Sequence, residues 1–130
     1  MATVLVIDDQ AISRQILGQI VKSIDATLRI ESFEDAQSAL GWLERSSADL
    51  ILTDYKMPGM NGIEFLRRAR SLPMAQYVPI IMITSHEQGE IRYQALDLGA
   101  TDFLSKPIDH AECRARFRNL LQLQQQRLII

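Results

Sequence analysis

A chain of 130 residues, 47% apolar and 23% charged, has the size and composition of one ordinary globular domain with a single sizeable core. Its net charge of -2 gives no electrostatic reason to bind nucleic acid, and one cysteine, Cys113, excludes an internal disulfide. No apolar run approaches the ~20 residues of a membrane span, and the chain opens on a strand pattern without a signal peptide, so a soluble cytoplasmic protein is expected.

Thr3 to Ile7 is a β-branched apolar run, predicted to be a buried strand, and it ends at Asp8-Asp9. From Ala11, the series Ile12, Ile16, Ile20 and Ile24, with Leu17 and Val21 beside it, predicts an amphipathic helix. Asp9 or Gln10 is expected at its start, where the helix dipole favours negative charge. Thr27 to Glu31 alternates apolar and polar, which suits an edge strand. Glu34 to Ser46 carries Ala36, Ala39, Leu40 and Leu43 at helical spacing, with Trp42 at the margin of that stripe.

Leu50-Ile51-Leu52-Thr53 reads as a strand buried on both faces, ending at Asp54. Pro58, Gly59, Asn61 and Gly62 then turn the chain into a helix through Ile63, Phe65, Leu66 and Ala69, stopped before Pro73. Pro79 to Thr84 is another continuous apolar strand. Glu90 to Leu98 is a short helix with a thin apolar face, closed by a left-handed Gly99. Thr101 to Ser105 is the fifth strand, ending at Lys106-Pro107. Asp109 caps a last helix from His110 to about Gln126, in which Cys113 is a packed residue and not a reactive thiol. Five strands alternating with five helices predict an α/β doubly wound parallel sheet with right-handed crossovers and helices on both faces.

In such a sheet the strand C-termini share one rim, where ligands bind. Asp8, Asp9, Asp54, Thr84 and Lys106 all fall there. Each alone has an ordinary reading: a solvated cap, a helix N-cap, a strand-terminal residue. Together they make a chemistry. Three crowded carboxylates repel one another unless a cation joins them, and hard oxygen ligands favour Mg²⁺ or Mn²⁺. A lysine and a threonine hydroxyl beside them suit a dianionic phosphoryl group.

The motifs Val6-Ile7-Asp8-Asp9, Asp54 followed by Met57-Pro58-Gly59-Met60-Asn61-Gly62, Ile83-Thr84-Ser85, and Gly99-Ala100-Thr101-Asp102-Phe103-Leu104-Ser105-Lys106-Pro107 resemble a response regulator receiver (CheY-like) domain of two-component systems. The similarity covers the chain to about Asn119. It implies the strand order 2-1-3-4-5 and a phosphorelay switch, not a classical enzyme. Asp54 would accept a phosphoryl group from a sensor histidine kinase or phosphotransfer protein. Asp8, Asp9, Asp54 and the backbone carbonyl of Lys56 would hold Mg²⁺ or Mn²⁺, Asp8 mostly through water. Lys106 would pair with the phosphoryl oxygens, Thr84 would move in to hydrogen-bond them, and Phe103 would follow from an outward to an inward rotamer. Small Ser85 would leave room, and the Lys106-Pro107 bond would be cis. His86 and Lys56 are either exposed loop residues or flank the entry of the hydrolytic water.

The resemblance also implies a switch surface on the fourth helix, fifth strand and fifth helix. Some receivers dimerise there, and cross-subunit pairs Arg92-Glu112, Asp97-Arg118 and Asp102-Arg116 would have complementary charge. The competing reading is a solvated face, with Asp102 and Arg116 paired within one chain. Residues 1–122 are read as the receiver and 123–130 as a helical extension leading to an output domain. The Asp109-His110 and Arg118-Asn119-Leu120-Leu121 stretches are similar to receivers preceding cyclic-di-GMP phosphodiesterase domains. A stand-alone receiver with a frayed end is the alternative. A metal-dependent phosphatase is disfavoured because the second carboxylate expected two residues after the nucleophile is missing: Lys56 follows Asp54 and Gln10 follows Asp8. A pseudo-receiver is disfavoured by the intact set of five, and a flavodoxin relative by the absence of a Ser/Thr/Gly-rich loop after the first strand.

Overall fold

Strand pairing carries the architecture. The computed structural model describes residues 2–85 and 89–129, with side chains to residue 126. The chain runs β1 (Thr3–Ile7), α1 (Ala11–Ile24), β2 (Arg29–Phe33), α2 (Ala36–Leu43), β3 (Leu50–Thr53), α3 (Gly62–Arg70), β4 (Ile80–Thr84), α4 (Gly89–Asp97), β5 (Asp102–Ser105) and α5 (His110–Ile129). All pairings are parallel, in the expected order β2-β1-β3-β4-β5.

Side chains alternate across a strand, and the two faces build two cores. On one face Leu5, Ile7, Ile51, Ile80, Met82 and Phe103 pack with α2, α3 and α4. On the other Val4, Val6, Leu50, Leu52, Ile81, Ile83 and Leu104 pack with α1 and α5 through Leu17, Ile20, Val21, Cys113 and Phe117. The central strands are therefore buried throughout, which is why they are apolar without alternation. Burial raises the Cys113 thiol to about 11, as fits a packed residue.

Local chemistry sets the ends. Asp35 and Asn61 cap α2 and α3, each accepting a backbone N–H three residues on, from Ser38 at 2.7 Å and Glu64 at 2.9 Å. Asp109 caps α5 by accepting Glu112 N–H at 3.0 Å, and Gly99 ends α4 at φ 103°, both as expected. Arg70, at the end of α3, donates to the carbonyls of Ala75, Val78 and Gly99 at 2.9, 2.6 and 2.6 Å. It pins the α3–β4 connection and the C-terminal end of α4 to one guanidinium. Half-buried Trp42 packs on the margin of its core, also as expected.

Three expectations need correction. Ile12 is 71% exposed, and the buried face of α1 runs through Ser13, Leu17, Ile20 and Val21. β2 lies two residues later than expected, because its pairing with β1 runs from Thr3↔Arg29 to Ile7↔Phe33. α2 is shorter at both ends than 34–46. Gln10, one of the two residues expected at the start of α1, is its N-cap, without a side-chain cap bond, and Asp8 accepts the Gln10 N–H. α5 continues unbroken past residue 122 to Ile129.

Candidate functional site at the carboxyl edge of the sheet

The register Ile7↔Thr53 places the next residues, Asp8 and Asp54, side by side at the ends of two central strands. Asp8 N–H donates to the Phe33 carbonyl at 3.1 Å and Asp54 N–H to the Ile7 carbonyl at 3.0 Å, so both backbones are still held by the ladder. Asp8 is 1% exposed and Asp54 8%, whereas Asp9 is exposed. One carboxylate oxygen from each of the three lies within 4.8 Å of the others. Lys106, from the end of β5, reaches in between: its Nζ donates to Asp8 Oδ2 at 2.8 Å and Asp54 Oδ2 at 3.0 Å.

The remaining bonds fix orientation. Asp8 Oδ1 accepts Gln10 N–H at 2.9 Å, and Asp54 Oδ1 accepts Tyr55 N–H at 2.6 Å. Arg14 Nη1 donates to the Asp8 carbonyl at 2.7 Å, tying α1 to the turn that carries Asp8 and Asp9. The loop after Asp54 closes on itself where Gly62 N–H donates to the Tyr55 carbonyl at 2.6 Å. A Cβ at Gly62 would run into the Asp54 carbonyl oxygen and stand 2.9 Å from Tyr55 Cα, so the close approach requires glycine.

Electrostatics show strain and its partial relief. Burial pushes the Asp8 carboxyl up; the Lys106 and Gln10 bonds pull it back, and the charge of Asp54 pushes it up again, leaving it above 3.8. Burial alone would lower the Lys106 ammonium, but the bonds and charges of Asp8 and Asp54 outweigh it and hold the pKa above 10.5. The lysine is therefore charged across the neutral range. Among the described residues Lys106 is the one ammonium bonded into this cluster of three carboxylates, and the excess of negative charge fits a divalent cation with oxygen ligands.

Asp9, Gln10, Asp54, Lys56, Met57, Pro58, Ser85 and Lys106 line an open cleft of about 490 Å³. Thr84 ends β4 fully buried, and Phe103 on β5 is 5% exposed. The registers Met82↔Phe103 and Thr84↔Ser105 put Thr84 and Phe103 on the same face of the sheet. The Arg92 guanidinium lies 5.7 Å from the centroid of the buried Phe103 ring. The Lys106-Pro107 bond is cis. His86 lies outside the described residues. Of the charged residues expected to pair across a dimer, Arg116 donates to Asp102 within the chain at 2.7 Å, the intramolecular alternative; Arg92, Asp97, Glu112 and Arg118 are exposed.

Sequence reasoning missed Ser13, Gln10 and Arg14 as parts of this edge. Ser13 had a signal: it is a hydroxyl residue on the face of α1 that otherwise carries Leu17, Ile20 and Val21.

The sheet order and the acidic edge are those of a CheY-like receiver fold. The sequence model of the response regulator receiver domain matches residues 4–118, and the chain belongs to that family. It is 46% identical over 95% of its length to the cyclic di-GMP phosphodiesterase response regulator RpfG of Xanthomonas campestris, and spans 32% of that protein. Among solved structures it resembles the chemotaxis response regulator CheY4 of Vibrio cholerae, at 29% identity and TM-score 0.82, covering 92% of this chain and 98% of that one. It also resembles the signal receiver domain of an HD domain-containing protein from Pseudomonas fluorescens, at 26% identity and TM-score 0.84, covering 97% and 90%. The chain spans about a third of RpfG and 26% of the response regulator PleD of Caulobacter vibrioides. Among the described residues no helix is long and apolar enough to cross a membrane.

Proposed function

We propose that the chain is a cytoplasmic phosphoacceptor switch in which Asp54 takes a phosphoryl group from the phosphohistidine of a sensor kinase or phosphotransfer protein. One observation carries this reading: a nearly buried Asp54 with Lys106 Nζ at 3.0 Å and Asp8 and Asp9 crowded beside it. An Asp54 carboxylate oxygen attacks phosphorus, a P–O bond forms, the P–N bond breaks, and the imidazole leaves. Lys106 already stands where negative charge gathers on the transferred oxygens. Asp8, Asp9, Asp54 and the Lys56 carbonyl are the groups that would hold Mg²⁺ or Mn²⁺. When bound, the ion supplies charge neutralisation at the phosphoryl oxygens.

The output follows from added charge. A phosphoryl group brings about -1.5 to -2 charges and new acceptor oxygens. A Thr84 hydroxyl turned toward them makes a bond to the phosphoryl group that the other rotamer does not, so the population shifts to that state. Phe103, on the same face, fills or leaves the space that Thr84 vacates, and α4, β5 and α5 carry the change outward. Arg92, Asp97, Asp102, Glu112, Arg116 and Arg118 form the charged part of that surface. A dimer using it would have to draw Arg116 from Asp102 of its own chain, at a gain of only ~0.2–1 kcal/mol per exposed pair. Residues 1–122 are the receiver and 123–130 an extension toward an output domain. The relation to RpfG favours a cyclic-di-GMP phosphodiesterase as that output.

The test is intact mass after incubation with acetyl phosphate, with and without Mg²⁺. Wild type should gain one Mg²⁺-dependent phosphoryl adduct and Asp54→Asn none. An adduct retained in Asp54→Asn moves the acceptor elsewhere. No adduct on folded wild type turns the reading to a receiver that works by binding alone.

A further inference from the structure

The Lys106 ammonium has three N–H groups and, among the described residues, three oxygen partners. Two are the carboxylates of Asp8 and Asp54. The third is Ser13 Oγ, at 3.3 Å. Ser13 sits in the first turn of α1, 7% exposed, and is not among the residues that line the cleft. Its hydroxyl donates onward to Gln10 Oε1 at 3.3 Å, and Gln10 N–H donates to Asp8 Oδ1 at 2.9 Å. The bonds close a ring, Asp8 to Lys106 to Ser13 to Gln10 and back to Asp8. Asp54 joins that ring through the ammonium.

We propose that Ser13 is a positioning residue for Lys106: its hydroxyl takes the third ammonium N–H and keeps Nζ against Asp54, where an arriving phosphoryl group meets it. The proposal rests on the phosphoacceptor reading above. A lysine chain is long and flexible, and a pair of carboxylates fixes the charge less firmly than three partners do. Without the hydroxyl, the third N–H turns to water in the open cleft, and the ammonium wanders over a wider volume. Transition-state stabilisation depends on a preorganised charge, so the rate of phosphoryl transfer falls while entry of the donor into the cleft is untouched.

Ser13→Ala tests this with little risk to folding, because alanine is the better helix former. Labelling by acetyl phosphate at saturating Mg²⁺ should slow on the order of three- to ten-fold, the worth of one hydrogen bond, with the half-saturating donor concentration unchanged. A second readout needs no phosphoryl donor. The chain has three lysines, so ¹H–¹⁵N spectra of the side-chain ammonium groups are simple. Wild type should show a protected Lys106 signal that broadens in Ser13→Ala. The Lys22 signal, from an ammonium bonded to the Leu28 carbonyl at 2.5 Å, should stay as it was. An unchanged Lys106 signal, or an unchanged labelling rate, overturns the proposal. Wild type that takes no label while its Lys106 signal responds to Ser13→Ala refutes the phosphoacceptor reading instead, and with it the catalytic half of this one.

Discussion

Replacing Lys106 with methionine removes the ammonium that bridges two nearly buried carboxylates and keeps a side chain of similar length. The side chains of Asp8 and Asp54 are only 2% and 10% exposed, so water screens them poorly. Their nearest oxygens lie within 4.8 Å. Two unit charges at that separation repel by about 3.5 kcal/mol at an effective dielectric of about 20. Breaking a buried pair by removing one partner costs a similar ~3–5 kcal/mol. Lys106→Met should therefore lose about 3 kcal/mol near neutral pH without Mg²⁺. Two conditions should restore part of it. At one fixed Mg²⁺ concentration both proteins gain, but the variant, freed of the competing ammonium, should bind the ion more tightly and gain more, so the deficit should narrow.

Acid should help as well. The Asp8 carboxyl already lies above 3.8 in the folded protein, raised by burial, and without Lys106 it rises further. A carboxyl raised on folding costs stability above its folded pKa, and the cost fades as pH falls toward the unfolded value. In the wild type the lysine itself is lost only in alkali, because its folded pKa is above 10.5. Urea unfolding followed by Trp42 fluorescence, near pH 7 and near pH 5, with and without Mg²⁺, reads all of this. A deficit of equal size in every condition would refute the reasoning, since packing loss answers to neither protons nor magnesium.

Other perturbations probe the support around the site. Gly62→Ala should cost about 2–3 kcal/mol in thermal unfolding and block labelling of Asp54, because its Cβ meets the backbone that carries Asp54. A stable, normally labelled variant would mean the loop opens easily. Arg70→Ala strips donors from the Gly99, Ala75 and Val78 carbonyls and should cost about 1–3 kcal/mol. Amide exchange should rise around residues 98–101, and Arg70→Lys should rescue only in part, since an ammonium lacks the guanidinium fork.

Most of the fold was legible because the central strands are buried on both faces and punctuated by turn residues. The errors lie where one tertiary neighbour decides. A step of four residues on a helix turns about 40° past a full revolution, so two steps from Ile20 back to Ile12 drift about 80° off the buried face. The isoleucine series therefore pointed at Ile12 and hid Ser13. The alternation at Thr27 to Glu31 was real, but on an edge strand only the pairing with β1 sets the register. At the site, Asp8, Asp9, Asp54 and Lys106 were legible as strand-end residues. Ser13, Gln10 and Arg14 were not, because their part depends on which way α1 faces when it packs.

β5 is four residues long, and it hydrogen-bonds to the sheet on one side only. Within it Phe103 faces the core shared with α4, while Leu104 faces the core shared with α5. At its edge of the sheet the strand is thus an isthmus between the two compartments. A push on Phe103 from the α4 side would have one peptide to cross before Leu104 carried it to the α5 side.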